Sequence, residues 1–399
     1  MLKRFTGLIV LATLLLVSCN TGSRTPVALQ QATIAPTTLP LPTAAQITAT
    51  TLATSTSQVT TGDATTASPT TTEATTSSAT ASSPATLVPP PQPVQVPQGF
   101  VVSVYAEKLG SPRGLALGPD GRVYMTDIQG GRVLRFSQTA GADGLYAGEV
   151  VVKGLDEPHG ITFHDNQLYV GETNQIDRFQ HQGDGWGPKQ VIIPNLPTGG
   201  HRTRTVLFGT DGKLYVAVGS SCNVCEEKDP RRAAVWQYNA DGSGGRLYTK
   251  GLRNAVGLAL RPSSDAIWAT TNGRDMLGDD LPPETINILA DGADFGWPRC
   301  HAGRIVDPDH GSPNTCQGTA KPAVEMQAHS APLGLAFYTG KQFPAAYQGS
   351  LFVAFHGSWN RTAPTGYKIV RIPVDANGKA GPVQDFAVGW LNGTAVWGR

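Results

Sequence analysis

Charge is scarce in this chain and balanced in sign. Only 15% of the 399 residues are Asp, Glu, Lys or Arg, and 31 basic against 30 acidic residues leave a formal net charge of +1. Such a balance gives no basic surface for nucleic acid and no acidic tail. Beyond the N-terminus no apolar run approaches the length of a spanning helix, about 20 residues. The chain lacks a phosphate-cradling Gly-x-x-x-x-Gly-Lys, a Gly-x-Ser-x-Gly elbow between strand and helix, a His pair at i, i+4 and a haem-binding Cys-x-x-Cys-His. Thirty prolines and 46 glycines argue against a helical bundle.

What is present divides into three parts. Lys3 and Arg4 precede an apolar stretch, Gly7 to Val17, too short to span and suited to a signal peptide. It ends in Leu16-Val17-Ser18-Cys19, which resembles a bacterial lipobox. The expectation is a lipoprotein signal peptide at 1–19, with Cys19 lipidated and the protein held on the extracytoplasmic face of the membrane. An ordinary secretory signal or an uncleaved anchor is the alternative. Residues 21–98 hold 54 Ser, Thr, Ala or Pro and only three charges. Such a segment has too little apolar surface to offset chain entropy, so 20–98 is expected to be a disordered tether.

From Gly99 the pattern becomes short alternating apolar runs. Gly114-Leu-Ala-Leu leads through the Asp120-Gly121 turn to Val123-Tyr-Met-Thr, a hairpin signal. Copies begin at Gly160, Thr205, Gly257 and Gly334. The first four are about 45–52 residues apart, and the last interval leaves room for an inserted loop at about 272–330. Repeats of this length with three or four strands predict β-propeller blades. Five hairpins are visible, and Ala395-Val-Trp-Gly-Arg399 falls where another would start. The expectation for 99–399 is an all-β, six-bladed propeller whose last blade is incomplete because the chain is truncated, with Phe100–Tyr105 a strand of that blade.

Four cysteines remain: Cys222, Cys225, Cys300 and Cys316. In an exported domain an even number suggests the disulfides Cys222–Cys225 and Cys300–Cys316. A four-Cys zinc site and a redox Cys-x-x-Cys pair are the alternatives. His159, His201, Arg253-Asn254 and His329 each lie just before the first strand of a repeat, so they should converge on one axial cleft.

These residues, with their neighbours, resemble the glucose/sorbosone dehydrogenase family. The matching stretches are Gly200-His201-x-x-Arg204, Lys213-Leu-Tyr-Val-Ala-Val-Gly-Ser220, Gly251-Leu-Arg253-Asn254-x-x-Gly257-Leu-Ala, Asn272-Gly273-Arg274-Asp275, Gly278-Asp279-Asp280-Leu-Pro-Pro-Glu284, Asn287, Asp294-Phe-Gly-Trp-Pro298 and His356-Gly-Ser-Trp-Asn-Arg361 with Pro364-Thr-Gly-Tyr-Lys368. The resemblance implies oxidation of a sugar with pyrroloquinoline quinone (PQQ) and calcium, passing electrons to an external acceptor. It implies His201 as general base and Arg253 as the cation that stabilises charge on the reduced quinone. Asn254, His159, Arg204, Arg361, Lys368 and Arg399 are the candidate contacts of the tricarboxylate cofactor. Gly273 and Arg274 would hold calcium through their carbonyls, with Asp279, Asp280 and Glu284 as candidate carboxylate ligands. A calcium-dependent lactonase and a non-catalytic binding propeller are the competing readings, since a fold alone does not assign function.

Overall fold

The structure, a computed structural model, describes residues 87–398. The signal peptide, Cys19, the tether up to residue 86 and Arg399 lie outside the described residues.

Five antiparallel sheets, four of them four-stranded and one five-stranded, follow one another along the chain. Blade 1 is built from Pro112–Leu117, Val123–Asp127, Arg132–Phe136 and Gly148–Lys153. Blade 2 contains Ile161–His164, Gln167–Gly171, Ile176–Gln182 and Gln190–Ile193, with Gly185–Trp186 folded back on its third strand. Blade 3 contains Arg204–Phe208, Leu214–Val218, Ala234–Tyr238 and Arg246–Lys250. Blade 4 contains Ala255–Leu260, Ile267–Thr271, Glu284–Ile288 and Val324–Met326. The expected insertion lies on blade 4 and carries a small ladder, Cys300–His301 with Ile305–Val306. Blade 5 contains Pro332–Phe337, Leu351–Phe355, Lys368–Ile372 and Gln384–Ala387.

Alternation along the second strands builds the core. Trp268 packs with Leu351, Val353 and Val370 of blade 5, while its neighbours Ile267 and Ala269 pack with Tyr215 and Val235 of blade 3. Each sheet thus has two apolar faces and needs a sheet on either side. Glycines let the inner strands approach. A Cβ at Gly114 would collide with the His159 carbonyl oxygen, one at Gly160 with that of Arg204, and one at Gly257 with that of Leu333. Thr126 Oγ1 accepts from Gly114 N (2.8 Å) and donates to His159 O (2.9 Å); Thr270 Oγ1 does the same between Gly257 N (2.9 Å) and Leu333 O (2.7 Å). A Cβ added at Gly334 would meet nothing within 4 Å, since among the described residues no further blade packs on that side.

Among the described residues there are thus five complete blades, one for each hairpin read from the sequence, and no complete sixth. After blade 5 comes only a hairpin, Leu391–Asn392 with Ala395–Val396. Phe100–Tyr105 is not a strand; with no neighbouring strand to share its hydrogen bonds, it runs as an irregular segment between the two end blades. Phe100 packs 4.8–5.0 Å from the rings of Phe343, Tyr347 and Phe386 on blade 5. Tyr105 stacks on Tyr146 at 4.2 Å, and Ala106 and Leu109 cover Met125, Leu134 and Phe136 of blade 1. The contact begins before residue 99, since Gln95 pairs with Val388. The inner strands line a channel of about 800 Å³ that also reaches Phe352 and Phe355 of blade 5.

The glycine contacts give a paired prediction. Gly257→Ala should cost about 1–3 kcal/mol, the usual penalty of forcing an extra carbon into a packed site. Gly334→Ala, at the equivalent position, should leave the denaturation midpoint within about 0.5 kcal/mol of the wild type.

Candidate active site

Inner strands of successive blades start at the same end of the channel, so the residues preceding them meet there. Arg113 Nε of blade 1 donates to His159 Nε2 at 2.7 Å. Gly160 N donates to Arg204 O, Ser220 N to Arg253 O at 2.8 Å, and Asn272 Nδ2 to Pro332 O at 2.7 Å. These bonds join blades 1 to 5 in sequence. Gly219 has no side chain to separate His201 from Asn254, and a Cβ there would strike both.

The two histidines differ in what their nitrogens are doing. His201 Nδ1 lies 2.9 Å from Ser220 Oγ and 3.2 Å from Ser220 O. Ser220 Oγ spends its hydrogen on Cys222 O (2.6 Å), so both neighbours of Nδ1 can only accept. Nδ1 therefore carries the proton, and Nε2 presents a lone pair. His159 presents none, because its Nε2 already accepts from Arg113. Burial, then the Arg253 charge, lowers the His201 pKa to about 4. Burial also pulls His159 well below the usual range, reinforced by Arg113 and Arg204.

Arg253 is buried and fully engaged on one side. Its Nε donates to Asn223 O (2.8 Å), and its Nη2 to Asn223 Oδ1 (3.0 Å) and Asp275 Oδ2 (2.9 Å). Its Nη1 has only a 3.5 Å contact with Asn272 O. Asn360 Nδ2 donates to Asp275 Oδ1 at 3.2 Å. Buried Glu284 joins two loops, accepting from Gly273 N (2.6 Å) and Ala331 N (3.1 Å). Burial pushes its pKa up to about 7 against those two bonds and the Arg253 charge.

The remaining sequence candidates are dispersed. Arg204 is buried and turns its guanidinium to the carbonyls of Pro197, His201 and Thr203, bracing the loop that carries His201. Arg361 holds Asp279 O and Asp280. Lys368 is paired with Asp385 at 2.6 Å, on the third strand from the axis. Arg274 is ion-paired with Asp307 and Asp309, and Asp307 also binds His301. The carboxylate cluster expected for calcium does not form. Asp279 accepts from Thr362 N, Asp280 faces solvent beside Arg361, and Glu284 is turned inward. Asp279 and Asp280 are thus engaged by Thr362 and Arg361 at the surface, while Glu284 is used up by the backbone N–H groups of Gly273 and Ala331. Both disulfides, Cys222–Cys225 and Cys300–Cys316, are formed, which removes the four-Cys zinc alternative because disulfide sulfur is not a thiolate ligand.

Sequence reasoning passed over Asn223, Ser220, Asp275, Asn360 and Arg113. Four of them lay inside motifs already singled out: Ser220 at the end of Lys213-Leu-Tyr-Val-Ala-Val-Gly-Ser, Asn223 between the paired cysteines, Asp275 after Gly273-Arg274, and Asn360 beside Arg361.

The groups gathered here offer both halves of what PQQ would need. Arg253 Nη1 has donors to spare for a carboxylate or quinone oxygen, and the Oδ1 atoms of Asn254 and Asn360, buried without a partner, can accept from an N–H or hydroxyl donor. Among the described residues no donor reaches the carbonyl oxygens of Gly273 and Arg274, which leaves them available to a hard cation. The cavity that Arg253, Asn272 and Gly273 line together with Thr271, Thr285, Asn287 and His301 is only about 40 Å³, room for water; the wide space is the neighbouring channel of about 800 Å³ bordered by His159.

The sequence model of the TrAA12-like family matches residues 94–308 and 305–388. The chain belongs to the TrAA12-like family. This TrAA12-like protein is 31% identical over 320 residues to an uncharacterised protein of Borreliella burgdorferi, covering 75% of this chain and 81% of that one. It is 26% identical over 355 residues to a PQQ-dependent pyranose dehydrogenase of Coprinopsis cinerea, covering 74% of this chain and about half, 48%, of that longer protein. Its fold matches the calcium structure of the Trichoderma reesei Carbohydrate-Active Enzymes Family AA12 protein with a TM-score of 0.66, at 19% identity over 77% of this chain and 90% of that one. The family read from the sequence motifs is thus the right one: this is a propeller of the PQQ-dependent sugar dehydrogenase kind, an oxidoreductase.

Glu284 gives a test of the site's framework. Glu284→Leu strands two buried backbone N–H groups, each costing about 1–3 kcal/mol. Glu284→Gln retains an acceptor and should cost less, as read by chemical denaturation of the apoprotein.

Proposed function

We propose that this protein oxidises a sugar at C1, with PQQ as the hydride acceptor, calcium as its companion ion and His201 as the base. The observation that carries this is the free Nε2 lone pair of His201 beside the buried guanidinium of Arg253.

His201 takes the hydroxyl proton of the sugar at Nε2, while its Nδ1–H, held by Ser220, keeps the ring oriented. Arg253, fixed by Asn223 and Asp275, aims its remaining N–H groups where negative charge builds during the reaction, and Asn254 stands next to it. Bound here, PQQ supplies the electrophilic carbonyl that receives the C1 hydride. The carbonyls of Gly273 and Arg274 would hold Ca²⁺, a hard ion suited to oxygen ligands. Electrons then leave to an external acceptor. Export, a lipid anchor at Cys19 and a 20–98 tether complete the reading, and the two disulfides suit an oxidising compartment.

The test is reconstitution with PQQ and Ca²⁺ followed by dye reduction over a panel of aldoses; no turnover of any sugar would sink the reading. His201→Ala should lower kcat by about 10²–10⁴ while PQQ still binds. Chelation of calcium should abolish turnover and lower the melting temperature, because an ion bound only to the folded state stabilises it. A base with its pKa lowered to about 4 is already unprotonated in mild acid. The kcat/KM profile should therefore stay level down to about pH 5 and fall only below that, as the base becomes protonated.

A further inference from the structure

A long arginine side chain loses conformational freedom when it is held in one orientation, and something must supply that order. For Arg253 the supplier is chiefly one residue. Asn223 accepts from Arg253 twice, through its backbone oxygen (2.8 Å) and its side-chain oxygen (3.0 Å). The same side chain accepts from Asp275 N (2.8 Å) and donates to Asp275 O (3.1 Å), fixing the other partner of Arg253. Trp297 Nε1 also donates to Asn223 O at 3.3 Å.

Asn223 itself belongs to no helix or strand. Its backbone is constrained by the Cys222–Cys225 disulfide, which closes a ring of four residues around it. The carbonyl of Cys222 accepts from Ser220 Oγ (2.6 Å), the hydroxyl that orients His201. Both His201 and Arg253 therefore lean on one small covalent loop.

We propose that Asn223 is a positioning residue for Arg253, and that the Cys222–Cys225 disulfide makes the competence of the site depend on the oxidised state of that loop. This rests on Arg253 serving the reaction proposed above, but its geometric part can be tested without that reaction.

The test uses the full chain with Asn223→Ala and, separately, the double variant Cys222→Ser/Cys225→Ser. The first measurement is the rate at which phenylglyoxal modifies Arg253, followed by peptide mass spectrometry on the apoprotein. Arg253 should be protected in the wild type and react about 10- to 100-fold faster in both variants, the scale of a lost hydrogen bond to a charged group. The second measurement is PQQ affinity by titration of the apoprotein, expected to fall by a similar factor, with kcat falling more than KM changes. Melting curves verify folding. If Asn223→Ala does not fold, the double variant and dithiothreitol-treated wild type decide. Wild-type labelling rates at Arg253 in every folded sample would overturn the proposal, as would unaltered PQQ affinity and kcat alongside faster labelling. A wild type that binds no PQQ at all would instead defeat the proposed function, and the labelling result would still stand on its own.

Discussion

The close approach of the inner strands governs everything else in this molecule. Three of the five inner strands lie against a carbonyl oxygen of the next, a separation only glycine at Gly114, Gly160 and Gly257 allows. The hydroxyls of Thr126 and Thr270 tie strand to strand across the same narrow seam. Short seams near the axis force the sheets to fan outward, and the wedge between them is filled by large side chains such as Trp268, Tyr169 and Phe179. The same seams bring the loops preceding each inner strand to one place, and so the fold produces a polar cluster without any segment of chain being polar throughout.

Within that cluster the electrostatics are set by burial. Arg253 is kept charged in a dry place by Asp275 on one side, with Glu284 nearby. Burial of the His201 ring, reinforced by that charge, lowers its affinity for a proton, so that the imidazole stays neutral. Burial and then Arg113 act the same way on His159, and Arg113 also occupies its lone pair, so the two histidines are chemically unequal. Desolvation sets the protonation of both rings and the arginine charges strengthen it.

Much of this was legible in the sequence. The Gly-Leu-Ala starts and Asp-Gly turns disclosed the blade repeat because glycine contact and hairpin geometry are local demands. His201 and Arg253 stood out by recurring at equivalent blade positions. Phe100–Tyr105 was misread as a strand because its residues alternate, while a strand needs a neighbour that no local pattern guarantees. Asp279, Asp280 and Glu284 read as one ligand set because they are near in sequence; Arg361 and Thr362, about 80 residues later, engage the first two, while Glu284 turns inward to backbone N–H groups. Asn223 was hidden by its cysteines, whose obvious structural role obscured what the residue between them touches.

The open surroundings of Gly334 have a consequence for how the molecule comes apart. Within residues 87–398 the blades form an arc with two ends, bridged by the segment that runs from Val88 to Leu109. An arc of similar units behaves as a nearest-neighbour stack, in which an inner unit has two interfaces to lose and a terminal unit has one. Amide exchange is therefore graded along it: slow in blades 2 to 4, faster in blades 1 and 5, and fastest where Phe100 leaves its aromatic nest. The residues proposed for catalysis sit at the entries to blades 3 and 4, in the part of the arc that opens last.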